Sequence, residues 1–380
     1  MRARGHETAV IAPSADSFKD RTRHLGELDY ITVPQTGSIP IHFQRSLPLI
    51  HGDNVLKSVF VKSKRIENIL TDFKPHIVHY NGWGPLCKKT YGAQKRIGTG
   101  ATIATCHGVP MHVTNAFFRP NPVTMKFEKH IWRMMVRFYG QMGFVLSPSP
   151  FVNRKLIEAG LPKQLGEPLS NGIVTEQYKR IEHKLRDETR SRYGLPVHKV
   201  LLTYIGRLDP EKNIHVLTGA IRRFYENERV HFVVAGAGKL RKKLEALKKE
   251  GGDNLSLFNW LDHRELVDIL GVSDVFFIPS PSESQSITTL EAMASSLPVI
   301  ACNGGALPDL VQDEVNGFLF SSDQIDLCME RLAILIADPK LREAFGKASR
   351  RQAMRHDMNK VITTLENRYQ RLTDYKPVQY

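Results

Sequence analysis

The chain carries PSPSESQSITTLEAMASSLPVIACNGG at residues 279–305, and this stretch decides how the fold is read. Before it, Asp274–Pro279 is a short apolar run suited to a buried strand. Ser280–Ser286 is a polar, turn-rich loop, and Thr288–Ser296 has a helical pattern. A helix N-terminus presents unpaired backbone N–H groups and a partial positive charge, so the loop is a seat for an anion such as a diphosphate. Glu283 and Glu291 flank that seat. A carboxylate accepts hydrogen bonds from two vicinal hydroxyls, so two sugars flanking one phosphate, as in a nucleotide-sugar, fit the pattern. The same residues also allow a plainer reading, in which Thr288 and Glu291 form a capping box and Glu283 is solvated.

Working outward, short β-branched runs alternate with helical stretches in both halves of the chain. Strands are expected around His76–Tyr80, Ala101–Thr105, Val200–Ile205, His231–Ala235 and Val299–Cys302. Such alternation implies parallel sheets with crossover helices, whose sites form outside the carboxyl ends of the strands. A length of 380 residues with 41% hydrophobic content suits two α/β domains. The Pro- and Gly-bearing stretch Leu161–Gly172 is the expected boundary between them.

Other segments extend the pattern. YIGRLDPEK at 204–212 places Arg207 and Lys212 just after a strand that ends at Gly206. A guanidinium fork beside an ammonium suits a diphosphate that gains charge as a sugar bond breaks. Val233–Gly238 is a strand followed by a glycine turn, and Asn171-Gly172-Ile173 opens the second half. Phe73–His79, Thr105–Gly108 and Arg4–Glu7 supply strand ends and a loop in the first half. In order and spacing, these segments resemble the retaining GT-B glycosyltransferases, the fourth family of the sequence-based classification (glycosyl transferases group 1).

The resemblance spans nearly the whole chain. It implies an α/β GT-B fold of two Rossmann-like domains facing across a cleft. The expected division is an acceptor-side domain over 1–165, a nucleotide-sugar-binding domain over 166–355, and a C-terminal helix over 356–380 that packs back on the first domain. The family's usual first strand and glycine loop have no counterpart before Arg4, so the first domain is expected to be incomplete. Catalytic roles are implied for Glu283, which would hold the transferred sugar, for Arg207 and Lys212 on the leaving phosphate, and for His107 at a strand end. Donor binding is implied for Glu291 on the ribose, and for Gly206, Ser286, Ile287, Gly236 and Asn171. Gln285-Ser286 stands where the family commonly has an aromatic–glycine pair, Asn259-Trp260 where it has a glycine near the base, and Val174 where an acidic residue often follows Asn-Gly-Ile. The implied reaction is transfer from a nucleoside diphosphate sugar, a UDP-sugar, with retention, no cofactor and no metal; no Asp-x-Asp pair occurs.

A net charge of +14 and 15 histidines leave three anionic partners in competition: the nucleotide-sugar, an anionic membrane surface and nucleic acid. No nucleic-acid-binding module is present, which weighs against the third. KFEKHIWRMMVRF at 126–138 aligns Phe127, Ile131, Met134 and Phe138 on one helical stripe and Lys126, Lys129, Arg133 and Arg137 on another. This reads either as an interfacial membrane helix or as a core-facing helix with a solvated basic face. Lys239, Arg241, Lys242 and Lys243 read as a solvated cluster. Relatives with a similar glutamate loop and an Ala306–Asp309-like segment include transferases that act on membrane lipids, which suggests a glycerolipid acceptor, with a polysaccharide as the other candidate. Four well-separated cysteines and the lack of an apolar leader or an eighteen-residue apolar run point to the cytoplasm, with peripheral membrane contact. A nucleotide-sugar epimerase and a non-catalytic relative that binds donor or membrane without turnover are the competing classes. The donor base and sugar, the acceptor, the linkage and the oligomeric state are open at this point.

Overall fold

A computed structural model describes residues 1, 4–13, 22–25, 28–33, 37–44, 46–47, 58–59, 63–110, 122–251 and 254–374. The second half is built on a six-stranded, all-parallel sheet. Its spatial order is Leu255–Phe258, Val230–Ala235, Val200–Ile205, Val275–Ile278, Val299–Cys302 and Gly317–Phe320. Numbered along the chain this is the doubly wound order 3-2-1-4-5-6, with the direction of winding reversing between the strands that end at Ile205 and Ile278. All six residues of Val230–Ala235 and all four of Val275–Ile278 and Val299–Cys302 are buried. That is expected where helices cover both faces, and it explains why these strands read as continuous apolar runs. Phe232, Phe276, Phe277, Leu290, Met293 and Leu332 belong to one core.

In the first half, a parallel sheet runs in the order Gly166–Pro168, Phe144–Ser147, Ala101–Thr105, Ile77–Asn81. It thus continues past position 165. A separate sheet joins Val10–Pro13 to Gly37–Gln44 in parallel, followed by Leu28–Val33 and Thr22–Leu25 in antiparallel. The C-terminal helix Met358–Asp374 lies against this half, while residues 375–380 fall outside the described residues. Glu366 meets Arg4 at 2.8 Å and His6 at 2.7 Å, and the Tyr369 hydroxyl meets His79 Nδ1 at 2.6 Å.

Two expectations are corrected here. The helix Pro122–Tyr139 buries Trp132, Met135, Val136, Phe138 and Tyr139, so Phe127 is not on the core face: it is 52% exposed, with Val123 at 75% and Met125 at 56%. Arg241, at the start of the helix Arg241–Gly251, is not solvated. It is largely buried and donates to the carbonyls of Gly236 (3.0 Å) and Phe258, clamping two strand ends together.

Candidate active site

A cleft of about 390 Å³ opens at the switch point of the six-stranded sheet. It is lined by Gly206, Arg207 and Lys212 from the first strand's exit loop, by Asn259 and Trp260, and by Glu283, Ser286, Ile287 and Thr288. Six of the residues with implied site roles, Gly206, Arg207, Lys212, Glu283, Ser286 and Ile287, therefore meet in one cavity at the switch point, while Glu291 does not line it. The Lys212 ammonium donates to Glu283 Oε1 at 2.7 Å, with both side chains largely withdrawn from solvent. Arg207 is half-exposed and lies 3.0 Å from Glu211 and 3.4 Å from Asp209. The buried Tyr204 hydroxyl donates to the Arg207 carbonyl at 2.7 Å and so fixes that backbone.

The loops are seated by close backbone approaches. Gly236 does not line the cleft; a Cβ there would stand 1.9 Å from the Gly206 carbonyl oxygen, at a φ of +148°. Its hydrogen atom lets the two exit loops pair, with Gly206 N–H donating to Ala235 O at 3.0 Å and Leu208 N–H to Ala237 O at 2.8 Å. On the other side, Gly305 (φ +58°) packs against Glu283, and Ala306 N–H donates to Glu283 O at 2.8 Å. Gly304 and Gly305 are not among the residues marked by the sequence patterns above. Their Gly-Gly pair just after a strand was the available signal.

The helix after the glutamate loop spans Ile287–Ala294. The Thr288–Glu291 capping box does not form. Ser286 sits at the cap position with φ +66°, and its hydroxyl pairs with Thr289 Oγ1 at 2.7 Å rather than with a backbone N–H. Glu291 lies a turn deeper and accepts a 2.7 Å hydrogen bond from Tyr178. Burial raises its pKa, opposed by the Tyr178 bond and by His263.

His107 and Asn171 come from the other side. His107 is exposed, contacts Asn81 Oδ1 at 3.2 Å and is hydrogen-bonded by the Asn171 side chain; neither lines the cleft itself. Gln285, read as a departure from the family pattern, spans the two halves. Its carbonyl oxygen accepts from Asn171 N–H at 3.0 Å and its amide donates to Ser170 Oγ at 2.5 Å. Two more ties accompany it: Ser149 Oγ donates to Ser284 O at 2.6 Å, and Asp309 accepts from Phe151 N–H at 2.7 Å at the first turn of the helix Pro150–Glu158.

Two family models match the chain in succession: "Glycosyltransferase Family 4" over residues 1–177 and "Glycosyl transferases group 1" over residues 186–352. The Arabidopsis thaliana sulfoquinovosyl transferase SQD2 is 27% identical, with 94% of this chain and 70% of that protein covered. A GDP-mannose-dependent alpha-mannosyltransferase of Mycobacterium tuberculosis is 24% identical, with 100% of this chain and 92% of that protein covered. Among solved structures, Anabaena HepE, crystallised with UDP and glucose, superposes with a TM-score of 0.69 at 15% identity, covering 88% of this chain and 86% of that one. Sucrose-phosphate synthase from Thermosynechococcus elongatus gives 0.72 at 18% identity, covering 97% and 90%. With the two family models matching consecutive parts of the chain in this order, and with the doubly wound sheet and its cleft, the chain belongs to the family 4 GT-B glycosyltransferases.

Proposed function

We propose that this protein transfers a hexosyl group from a UDP-sugar to a hydroxyl of a membrane glycerolipid, with retention of anomeric configuration and without a metal ion. The observation that carries the reading is the cleft itself, where Arg207, Lys212 and Glu283 converge beside Ser286, Ile287 and Thr288 at the start of a helix. The two cations and the first amides of that helix take the diphosphate, whose charge grows as the glycosidic bond breaks. Lysine has three N–H donors, so Lys212 can keep Glu283 in place while it donates to phosphate. Glu283 then accepts from the sugar's hydroxyls and Glu291 from the ribose. Trp260, 77% exposed on the rim, offers a face for the base to stack on. His107 approaches from the acceptor half, and Asn171 from the segment where the chain crosses into the donor half. The acceptor hydroxyl enters on the face from which the diphosphate leaves, and a phosphate oxygen takes its proton.

UDP is favoured as the carrier because the structurally similar HepE is seen with UDP and with UDP-glucose. A membrane acceptor is favoured by the helix Pro122–Tyr139. There Lys126, Lys129, Arg133 and Arg137 are exposed beside the outward Val123, Met125 and Phe127, on a chain of net charge +14. Among the described residues, no helix is long and apolar enough to cross a membrane, so contact through a surface helix is the mode proposed.

The test is calorimetric titration with UDP-, GDP- and ADP-sugars, followed by transfer assays on diacylglycerol in anionic vesicles with the product anomer assigned by NMR. Saturable UDP-sugar binding, a retained anomer, insensitivity to EDTA, vesicle binding that fades at high salt, and a loss of roughly 100-fold or more in Arg207→Ala are expected. A folded protein that binds none of the nucleotide-sugars would overturn the reading, and an inverted product would remove retention from it.

A further inference from the structure

The chain crosses from the first sheet into the second through Asn171–Tyr178, and that crossing is tightly tied down. Ile173 N–H donates to His356 O at 3.0 Å and Met358 N–H to Ile173 O at 2.8 Å. Thr175 Oγ1 donates to Asp357 Oδ2 at 2.6 Å. Arg350 donates to the carbonyls of Thr175 (3.2 Å), Tyr178 and Ala294, so one guanidinium joins the crossing to the end of the glutamate-bearing helix. Tyr178 closes this segment. It is buried, its ring meets His263 edge-on at 5.9 Å, and its hydroxyl donates to Glu291 Oε1 at 2.7 Å.

We infer that Tyr178 is a positioning residue for the nucleotide-sugar donor, whose hydroxyl orients the Glu291 carboxylate for the ribose and fastens that seat to the crossing between the two halves. The inference rests on the proposed role of Glu291. A free carboxylate rotates about its last bond and offers about four lone-pair sites in changing directions. One fixed donor on Oε1 removes that rotation and leaves the other sites for two vicinal hydroxyls. A phenol suits this task, because it delivers a single proton from a ring that packing already holds.

Chemistry at Glu291 makes the role measurable. Tyr178 from the crossing and His263 from the helix His263–Val272 face it, while Arg350 nearby is occupied by carbonyls. Burial favours the protonated carboxyl, and the Tyr178 bond favours the carboxylate. A protonated Glu291 loses acceptor capacity, so donor affinity falls as pH drops through its pKa. Without the Tyr178 hydroxyl that fall comes at higher pH.

The experiment titrates wild type, Tyr178→Phe and Glu291→Gln with UDP and UDP-glucose between about pH 4 and 8, a window that reaches below the ordinary glutamate pKa of about 4.3 and covers a raised one. Tyr178→Phe is expected to weaken binding roughly 10-fold at neutral pH, as for loss of a hydrogen bond to a charged group. Its acid limb should move upward, with KM for donor rising more than kcat falls. 3-Fluorotyrosine at position 178, a stronger donor in the same packing, should move the limb the opposite way, and it tests the inference even if the phenylalanine variant folds poorly. If Glu291→Gln weakens binding while Tyr178→Phe leaves both affinity and limb unchanged, the inference fails and the donor site stands. Lost affinity in Tyr178→Phe with an unmoved limb means a structural role only, which also overturns it. Unchanged binding in Glu291→Gln removes Glu291 from the donor site, and the inference with it.

Discussion

Gly305→Ala should disable transfer more than it destabilises the fold, and the size of the effect follows from the geometry. A Cβ at Gly305 would lie 2.5 Å from the Glu283 carbonyl oxygen and 2.6 Å from its amide nitrogen, where ordinary contact begins at 3.4 Å. Both are main-chain atoms, so no side-chain rotation relieves the clash, and the Glu283 loop must yield by about 0.9 Å, from 2.5 to 3.4 Å. A misplacement on the order of 1 Å at a reacting centre is worth roughly 100-fold in rate, or about 2.7 kcal/mol of barrier. Alanine at φ +58° adds about 1 kcal/mol of backbone strain to the folded state. Gly194 separates the two effects. Its φ is +64° with nothing within 4 Å of the added Cβ, so Gly194→Ala carries the same strain and moves no site residue. The assay is kcat/KM for sugar transfer alongside urea unfolding. Both variants should lose stability to the shared strain, Gly305→Ala should lose about 1 kcal/mol more for displacing the loop, and the rate should fall only in Gly305→Ala. Full turnover by Gly305→Ala would refute the claim that the position of Glu283 governs the reaction.

Three further outcomes are expected. Lys212→Met removes the partner of a largely buried Glu283 and a phosphate contact together, so donor turnover should fall by at least about 100-fold, with a stability loss of about 2 kcal/mol visible in thermal unfolding; an unaffected rate would exclude Lys212 from the mechanism. Asp309→Ala loses the 2.7 Å acceptor at Phe151 N–H and the contact with Arg154, and should cost about 1 kcal/mol, read as a lowered unfolding midpoint; no change would mean the tie between the halves is dispensable. His79, bonded to Tyr369 and Thr105, has its pKa lowered to about 4 from 6.5 by burial and by the neighbouring His107. The unfolded chain therefore takes the proton first. Stability is fully present above pH 6.5 and is lost as pH falls toward 4, by up to about 3 kcal/mol. Replacement by Gln should flatten urea-unfolding stability across that window, and an unchanged pH slope would count against the assignment.

Much of the donor half was legible because its strands are buried on both faces. Val200–Ile205 and Val299–Cys302 stand where the β-branched runs put them, and their exit loops carry the residues that meet in the cleft. What stayed hidden depended on tertiary approach. Gly236 is implied as a donor-binding residue by the resemblance, yet the carbonyl of Gly206 is what demands a hydrogen there. Thr288 and Glu291 have capping-box spacing, but the helix begins at Ile287 with Ser286 at the cap position, so Thr288 lies inside its first turn, and Glu291 pairs instead with a phenol 113 positions upstream. In the helix Pro122–Tyr139, the stripe through Phe127 and Phe138 is real, but it lies at the edge of the buried face. Periodicity fixes the width of such a face more tightly than its centre, so the outward position of Phe127 could not be read from spacing.

The two sides of the site are held by different physics, and this bears on how the protein can work. Arg207, Lys212 and Glu283 ride on loops locked to one sheet by main-chain hydrogen bonds and by glycines too close-packed to accept a methyl group. That side is pre-organised, as stabilising a developing charge requires. His107 belongs to the other half, and the ties described between the halves are mainly polar: Gln285 to Ser170 and Asn171, Ser149 to Ser284, and Asp309 to Phe151 and Arg154. Polar interfaces of this kind resemble transient ones and permit relative domain motion. Weakening them should therefore alter acceptor use and the approach of His107 while leaving UDP affinity intact. A Gln285→Ala variant reports on this directly: an unchanged Kd for UDP with an altered KM for the acceptor fits a rigid donor side and an adjustable acceptor side, whereas a fall in UDP affinity would mean the donor side depends on the same ties.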